Sequence, residues 1–332
     1  MMATPGGLLR ALFVAVAIVG VAVFVALSTG YQPIDWAALQ TDETARTIFF
    51  RLRVPRVALG LLVGGSLAGV GAALQALFRN PLAEPFTLGV SGGGALGASI
   101  AIALGFGASI GGIPLVFVFA FGGALCFVAI VYRLASSGTV VMPGALLLAG
   151  VVLNLIAGAG VLMIQFVTDY TRALQILRWM VGSLDVIGMD LVWRMLLFLV
   201  PGLLLLLGAT RDLNLIAMDE EAASALGVNV RGVERMIYGA SSLIVGVSVA
   251  VAGPIGFVGL IVPHAVRLLF GEDLRIVIPC SILLGAAFLV LADALARSLL
   301  GASELPVGAI TALVGGPLFL ILLSRRKRYA AI

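Results

Sequence analysis

Runs of about 20 mostly apolar residues recur along the whole of this sequence, and that is the length a helix needs to cross a bilayer. The runs place spans near 8–28, 57–77, 86–106, 113–132, 144–167, 191–209, 237–253, 255–270, 276–297 and 306–323. Nothing between them is long enough for a soluble domain, so the reading is one membrane domain over 1–332, an all-α bundle of about ten spanning helices. Composition agrees: 61% hydrophobic and 11% charged, against roughly 45–50% and about 25% in soluble domains. The 42 glycines suit helices that must approach closely where lipid removes the hydrophobic drive between them.

The net charge of +4 does not point to nucleic acid, because the cations are spread thinly through short connections. Their one contiguous run is Arg325-Arg326-Lys327-Arg328, which reads as a cytoplasmic anchor. Arg10 followed by the apolar run Ala11 to Leu27 is a first span, since that run exceeds the roughly 7–15 residues of a signal-peptide core. Cys126 and Cys280 fall inside apolar spans and are expected to be small buried hydrophobes rather than a disulfide or metal ligands. An even number of spans puts both termini on one side. If that side is the cytoplasm, Arg10, Arg79, Arg133, Arg211, Arg231, Arg235, Arg267, Arg275 and the terminal cluster lie inside, more than half of the 20 basic residues. Arg51, Arg53 and Arg56 break the pattern by crowding the outer mouth of the second span. They either snorkel to lipid headgroups or form an electrostatic dock for an acidic partner.

Ionisable groups inside the spans are scarce. Asp293 has Arg297 four residues on along the same face, a pair that neutralises itself, and the sole histidine, His264, lies near an inner helix end. Proton relays at the midplane are therefore missing, which disfavours a secondary transporter. A P-loop needs Gly-x4-Gly-Lys-Ser/Thr, and the only lysine is Lys327, so energy from ATP must arrive through a partner. The connection from Arg211 to Arg235 has room to receive one. There Asp219 can cap a helix of about two turns, Glu220 and Glu221 suit its positive end, Ala222 to Leu226 continue it, and Gly227 stands at C-prime. So short a helix must pack on something, either its own membrane domain or a partner.

Three stretches punctuate the apolar runs: Arg79-Asn-Pro-Leu-Ala-Glu-Pro85, Leu88-Gly-Val-Ser-Gly-Gly-Gly94, and Gly253-Pro-Ile-Gly-Phe-Val-Gly259 leading to Pro263-His264. Backbone loosened there must be shielded by protein or face a water-filled cavity, and breaks at matching places in two halves point to a transport path. With five spans per half, the halves form an inverted pseudo-repeat.

Arg53-Val-Pro-Arg56, Gln75 to Pro85, Leu88 to Gly92, Gly256 to His264 and Glu304-Leu-Pro-Val-Gly308 together resemble the FecCD-type permeases of type II ABC importers, the iron-siderophore, haem and cobalamin uptake family. The resemblance runs in order along nearly the whole chain. It implies a permease in the bacterial cytoplasmic membrane that works as a dimer with two ATPase subunits. A periplasmic or lipid-anchored binding protein feeds it, ATP and magnesium belong to the ATPases, and no cofactor is bound by this chain. It further implies that Arg53, Arg56 and Arg297 meet acidic residues of the binding protein, and that Asn80 and Leu82 belong to a cytoplasmic gate. A second gate element falls at Met142, Pro143 and Gly144, where Pro-Gly departs from the small hydroxyl residues expected of the cobalamin branch. The helix from Asp219 to Leu226 resembles the one that sits in a cleft on the ATPase.

The fifth span and the amphipathic segment Tyr170 to Ile187 are expected to line the path. Met163, Gln165, Arg178 and Met180 are candidate contacts for a large planar or chelated cargo, although a helical methionine is more often packing. Ferric siderophore, haem and cobalamin remain open as cargo, with Arg178 leaning slightly to a carboxylate-bearing one such as haem.

Overall fold

The computed structural model describes residues 5–30, 36, 38–137, 140–141, 143–299 and 305–329. The chain is an all-α membrane bundle, with α1 (Pro5–Ser28), α2 (Ala38–Thr41), α3 (Glu43–Thr47), α4 (Val54–Leu77), α5 (Val90–Ala103), α6 (Leu115–Ala135), α7 (Pro143–Val167) and α8 (Tyr170–Met180) in its first half. The second half holds α9 (Asp190–Gly208), α10 (Thr210–Met218), α11 (Glu220–Ala225), α12 (Val230–Ala252), α13 (Val258–Phe270), α14 (Leu274–Leu299) and α15 (Val307–Tyr329). Two small hairpins, β1 (Ser109–Ile110) with β2 (Ile113–Pro114) and β3 (Ser136–Ser137) with β4 (Val140–Val141), flank α6. Among the described residues seven helices are long and apolar enough to cross a membrane, and three shorter ones, α5, α13 and Val307–Ile321 of α15, bring the apolar helices to ten.

The two halves share features in their second and third spans. Their second spans, α4 and α12, are the most enclosed, with 83% and 72% of the apolar window buried. Their third spans, α5 and α13, are the short ones, and each starts from a left-handed residue: Gly89 at φ 80° and Phe257 at φ 69°. Glycine enters that region freely, whereas phenylalanine carries a steric cost.

The second span begins earlier than the apolar pattern indicates. A helix runs unbroken from Glu43 to Leu77, passing through a π-helical turn at Ile48–Arg53. Pro55 has no N–H to return to the carbonyl of Arg51, and Gly188 donates to that carbonyl instead at 2.9 Å. The amphipathic segment after the fifth span is also only partly helical: α8 ends at Met180, and 182–187 carry no regular structure.

Small residues set the packing distances. A Cβ on Gly64 of α4 would lie 2.3 Å from the carbonyl oxygen of Gly285 in α14, and one on Gly71 would lie 1.9 Å from that of Gly259 in α13. In the first half, Gly93 of α5 and Gly123 of α6 meet as closely. With no hydrophobic effect between helices in lipid, such contacts provide dispersion and leave no room for the helices to slide.

Candidate functional site

Three clusters of polar side chains stand along α4, whose 24 residues span about 36 Å at 1.5 Å per residue. The first is at its N-terminal end. Asp293 of α14 is 2% exposed and accepts from Arg56 Nε at 3.0 and 3.1 Å, from Arg56 Nη2 at 2.9 Å and from Arg297 Nε at 2.9 Å. Arg56 Nη1 also pairs at 2.9 Å with Asp185, whose side chain is 69% exposed. Arg297 donates to the carbonyls of Thr29 and Ala26 at 3.0 Å, and Arg53 to those of Leu27 and Thr29 at 3.2 and 3.5 Å. The orphan carbonyls at the C-terminus of α1 are thereby satisfied by guanidinium groups, which also complement the helix dipole.

This changes the picture of the arginine cluster. Arg297 is 4% exposed and tied to α1, and Arg53 and Arg56 are partly buried and bonded within the chain. The Asp293–Arg297 pair is not self-contained, since Arg56 from a distant helix completes it. Of the cluster, Arg51 is the exposed member, and Asp185 is the exposed carboxylate already seated on Arg56.

The second cluster joins the two broken segments. Gln75 Nε2 donates to the carbonyls of Gly259 and Leu260 at 3.1 and 3.2 Å, and Arg267 of α13 donates to Gln75 Oε1. Glu84 Oε1 accepts from the backbone N–H of Phe257 at 2.6 Å, at the N-terminus of α13. On the other side, Asn154 of α7 accepts from Gly92 N–H at 2.9 Å and donates to the Phe86 carbonyl at 3.0 Å, holding the start of α5. Glu84 is largely buried, and desolvation raises its pKa against the lowering effect of the Phe257 bond. These connections are where helices break, and their backbone groups are met by protein.

Asn80 and Leu82 lie in the connection between these clusters. Asn80 Oδ1 accepts from Leu82 N–H at 2.9 Å, a turn that leaves Leu82 49% exposed. Gly144 is exposed in the first turn of α7, Pro143 starts that helix, and Met142 lies outside the described residues.

The third cluster surrounds α11. Asp219 caps it, accepting from Ala222 N–H at 2.7 Å. At the other end Gly227, at φ 87°, donates to Ser224 O while Val228 donates to Ala223 O, both at 3.0 Å, the paired bonds of a Schellman stop. Glu220, Glu221, Ala222 and Leu226 are exposed, Ala223 alone is buried, and Met218 and Leu226 are 82% and 71% exposed. Arg79, at the end of α4, bonds Glu220 at 2.5 Å. The connection beyond Arg211 also contains α10, a helix the residue pattern does not single out.

The four path candidates separate. Met163 is 72% exposed on α7 beside Phe166 and Val167, and Arg178 is exposed on α8. Met180 packs on Ala95, Val161 and Ile176, so it is at least partly packing. Gln165 Nε2 is buried with no hydrogen-bond partner among the described residues. The residue pattern singles out none of Asp185, Gln75, Glu84 and Asn154, and reads Arg79 only as one of the inner basic residues. Gln75, Arg79 and Glu84 sit inside the stretches the resemblance rests on, a signal that could have raised them; Asp185 and Asn154 carry none.

Among the described residues, ten apolar helices with a charged lattice at one end, an exposed capped helix at the other and two pinned breaks define a multi-pass membrane protein. The chain belongs to the FecCD transport family, whose family model matches residues 11–325. It is 43% identical over 285 residues to the cobalamin import system permease protein BtuC of Halobacterium salinarum, covering 86% of this chain and 75% of that one. It is 38% identical over 296 residues to the hemin transport system permease protein HmuU of Yersinia pestis, covering 86% of each. A metal-chelate type ABC transporter solved in an inward-facing conformation superposes with a TM-score of 0.84 at 31% identity, covering 96% of this chain and 99% of that one. The chain is thus a permease subunit of the ABC-importer class.

Proposed function

We propose that this permease carries a metal chelate, of the ferric siderophore, haem or cobalamin kind, across the bacterial cytoplasmic membrane with both termini inside. Two copies enclose the path, a periplasmic or lipid-anchored binding protein delivers cargo at the end bearing Arg53, Arg56 and Arg297, and two ATPase subunits holding ATP and magnesium engage α11. This chain binds no cofactor and does no covalent chemistry. The relatives named for cobalamin and hemin stand at 43% and 38% identity, which does not separate these cargoes.

The observation that carries the reading is the way α11 is presented. A six-residue helix is unstable alone, yet here it is capped at both ends and held outward with one buried residue. Met218 and Leu226 give it an exposed apolar rim and Glu220 and Glu221 an acidic face, as a docking element requires. Substituting Leu226→Arg is expected to release co-purifying ATPase and stop ATP-dependent uptake into proteoliposomes. Uptake that runs without ATPase and follows a proton gradient would overturn the proposal.

A further inference from the structure

The C-terminus of α4 uses the same stop as α11, with Asn80 N–H donating to Gln75 O at 3.1 Å and Arg79 N–H to Ala76 O at 3.2 Å. In α11 the left-handed position holds glycine; in α4 it holds Arg79 at φ 48°. A long side chain in that region is strained, and strain persists where surrounding structure fixes it. What fixes it is visible. Arg79 Nε donates at 3.2 Å to the carbonyl of Ile216, in the last turn of α10, and Nη2 bonds Glu220 Oε1 at 2.5 Å in the first turn of α11. One guanidinium therefore straddles the α10–α11 junction while its backbone closes α4 and opens the connection carrying Asn80 and Leu82.

We propose that Arg79 is a positioning residue, the link through which displacement of α11 reaches the Asn80–Leu82 connection; this rests on the reading of α11 as the ATPase contact. Both partners are substantially exposed, 40% for Arg79 and 51% for Glu220, and an exposed pair adds little to stability. A merely stabilising role does not account for a strained arginine there. The two-point geometry does, because a planar guanidinium held by a carboxylate and a carbonyl fixes direction as well as distance.

The test uses the assembled permease–ATPase complex in lipid, with Cys126→Ser removing the exposed thiol and Leu82→Cys as reporter; Cys280 is buried. The rate of maleimide labelling is compared between nucleotide-free and vanadate-trapped complex. The parent is expected to differ at least threefold between the two states. Arg79→Glu and Glu220→Arg are each expected to erase that difference, and the double exchange to restore at least half of it. Arg79→Gly, which relieves the left-handed strain and cannot fail to fold for that reason, is expected to erase it too. A difference that survives these single substitutions, or a double exchange that restores nothing, would overturn the link alone. A parent that does not respond to nucleotide overturns the link, whereas the reading of α11 falls only if Leu226→Arg leaves the ATPase bound.

Discussion

Asparagine at position 293 removes the charge between two guanidinium groups while keeping nearly the same shape. Asp293 accepts four hydrogen bonds from Arg56 and Arg297 at 2.9–3.1 Å and is 2% exposed. An arginine cannot relieve the loss by deprotonating. The new amide also turns donors toward donors. Removing one partner of a buried ion pair costs about 3–5 kcal/mol, chiefly through the stranded charge. At about 2 °C per kcal/mol for a large chain, Asp293→Asn should melt roughly 6–10 °C lower.

Asp185→Asn removes the other carboxylate on Arg56, but a 69% exposed one, and should cost under about 1 kcal/mol. Reaction of buried Cys280 with a thiol dye in a Cys126→Ser background reports unfolding of both. Adding Arg297→Met to Asp293→Asn should recover part of the loss, because the unpaired charge goes with it. Equal melting losses for the two aspartates, or an unchanged melt for Asp293→Asn, would refute the account of a buried three-residue lattice.

Two further outcomes are expected. Gly71→Ala should cost about 3 kcal/mol or prevent accumulation, because its Cβ meets backbone at 1.9 Å, whereas Gly122→Ala, with nothing within 4 Å, should be neutral or slightly stabilising; parallel melting curves check this. Burial holds the Glu84 carboxyl above its ordinary value of 4.5, so the folded protein retains a proton the unfolded chain releases, and stability should fall as pH rises from that value through the raised one. Glu84→Gln keeps an acceptor for Phe257 N–H and should flatten that fall; a melting profile against pH as steep as the parent's would exclude Glu84 as its source.

What was legible in the sequence is what local geometry determines. Span positions follow from apolar run length, and the caps of α11 follow from Asp219 and Gly227 standing a helix apart. The Asp293–Arg297 contact is an i, i+4 relation and was readable for that reason. Arg56, 237 residues away from Asp293, was not, because no local periodicity encodes which helix faces which. The start of the second span is not legible in apolar run length, because the helix continues back through the polar, arginine-bearing residues to Glu43, and Gly188, a remote donor, meets the Arg51 carbonyl that Pro55 leaves free. The gate residues are reached through resemblance, while the bonds that Gln75 and Glu84 make to α13 and Arg79 makes to α10, on either side of them, depend on tertiary proximity alone.

The tight glycine contacts bear on where such a protein can move. α4 is fixed to α14 at Gly64 and to α13 at Gly71 by backbone approaches that tolerate no added methyl, and α5 is fixed to α6 in the same way at Gly93. Packed surfaces of this kind exchange between discrete arrangements and do not deform smoothly. Freedom is therefore concentrated where intrahelical bonding is interrupted, in the connections before Gly89 and Phe257, which open the matching short helices of the two halves. Among the described residues their polar pins include Asn154 at one and Glu84 at the other, with Arg79 at the near end of the first. A change that loosened only these pins would leave both glycine-packed bodies intact, so gating should be separable from folding.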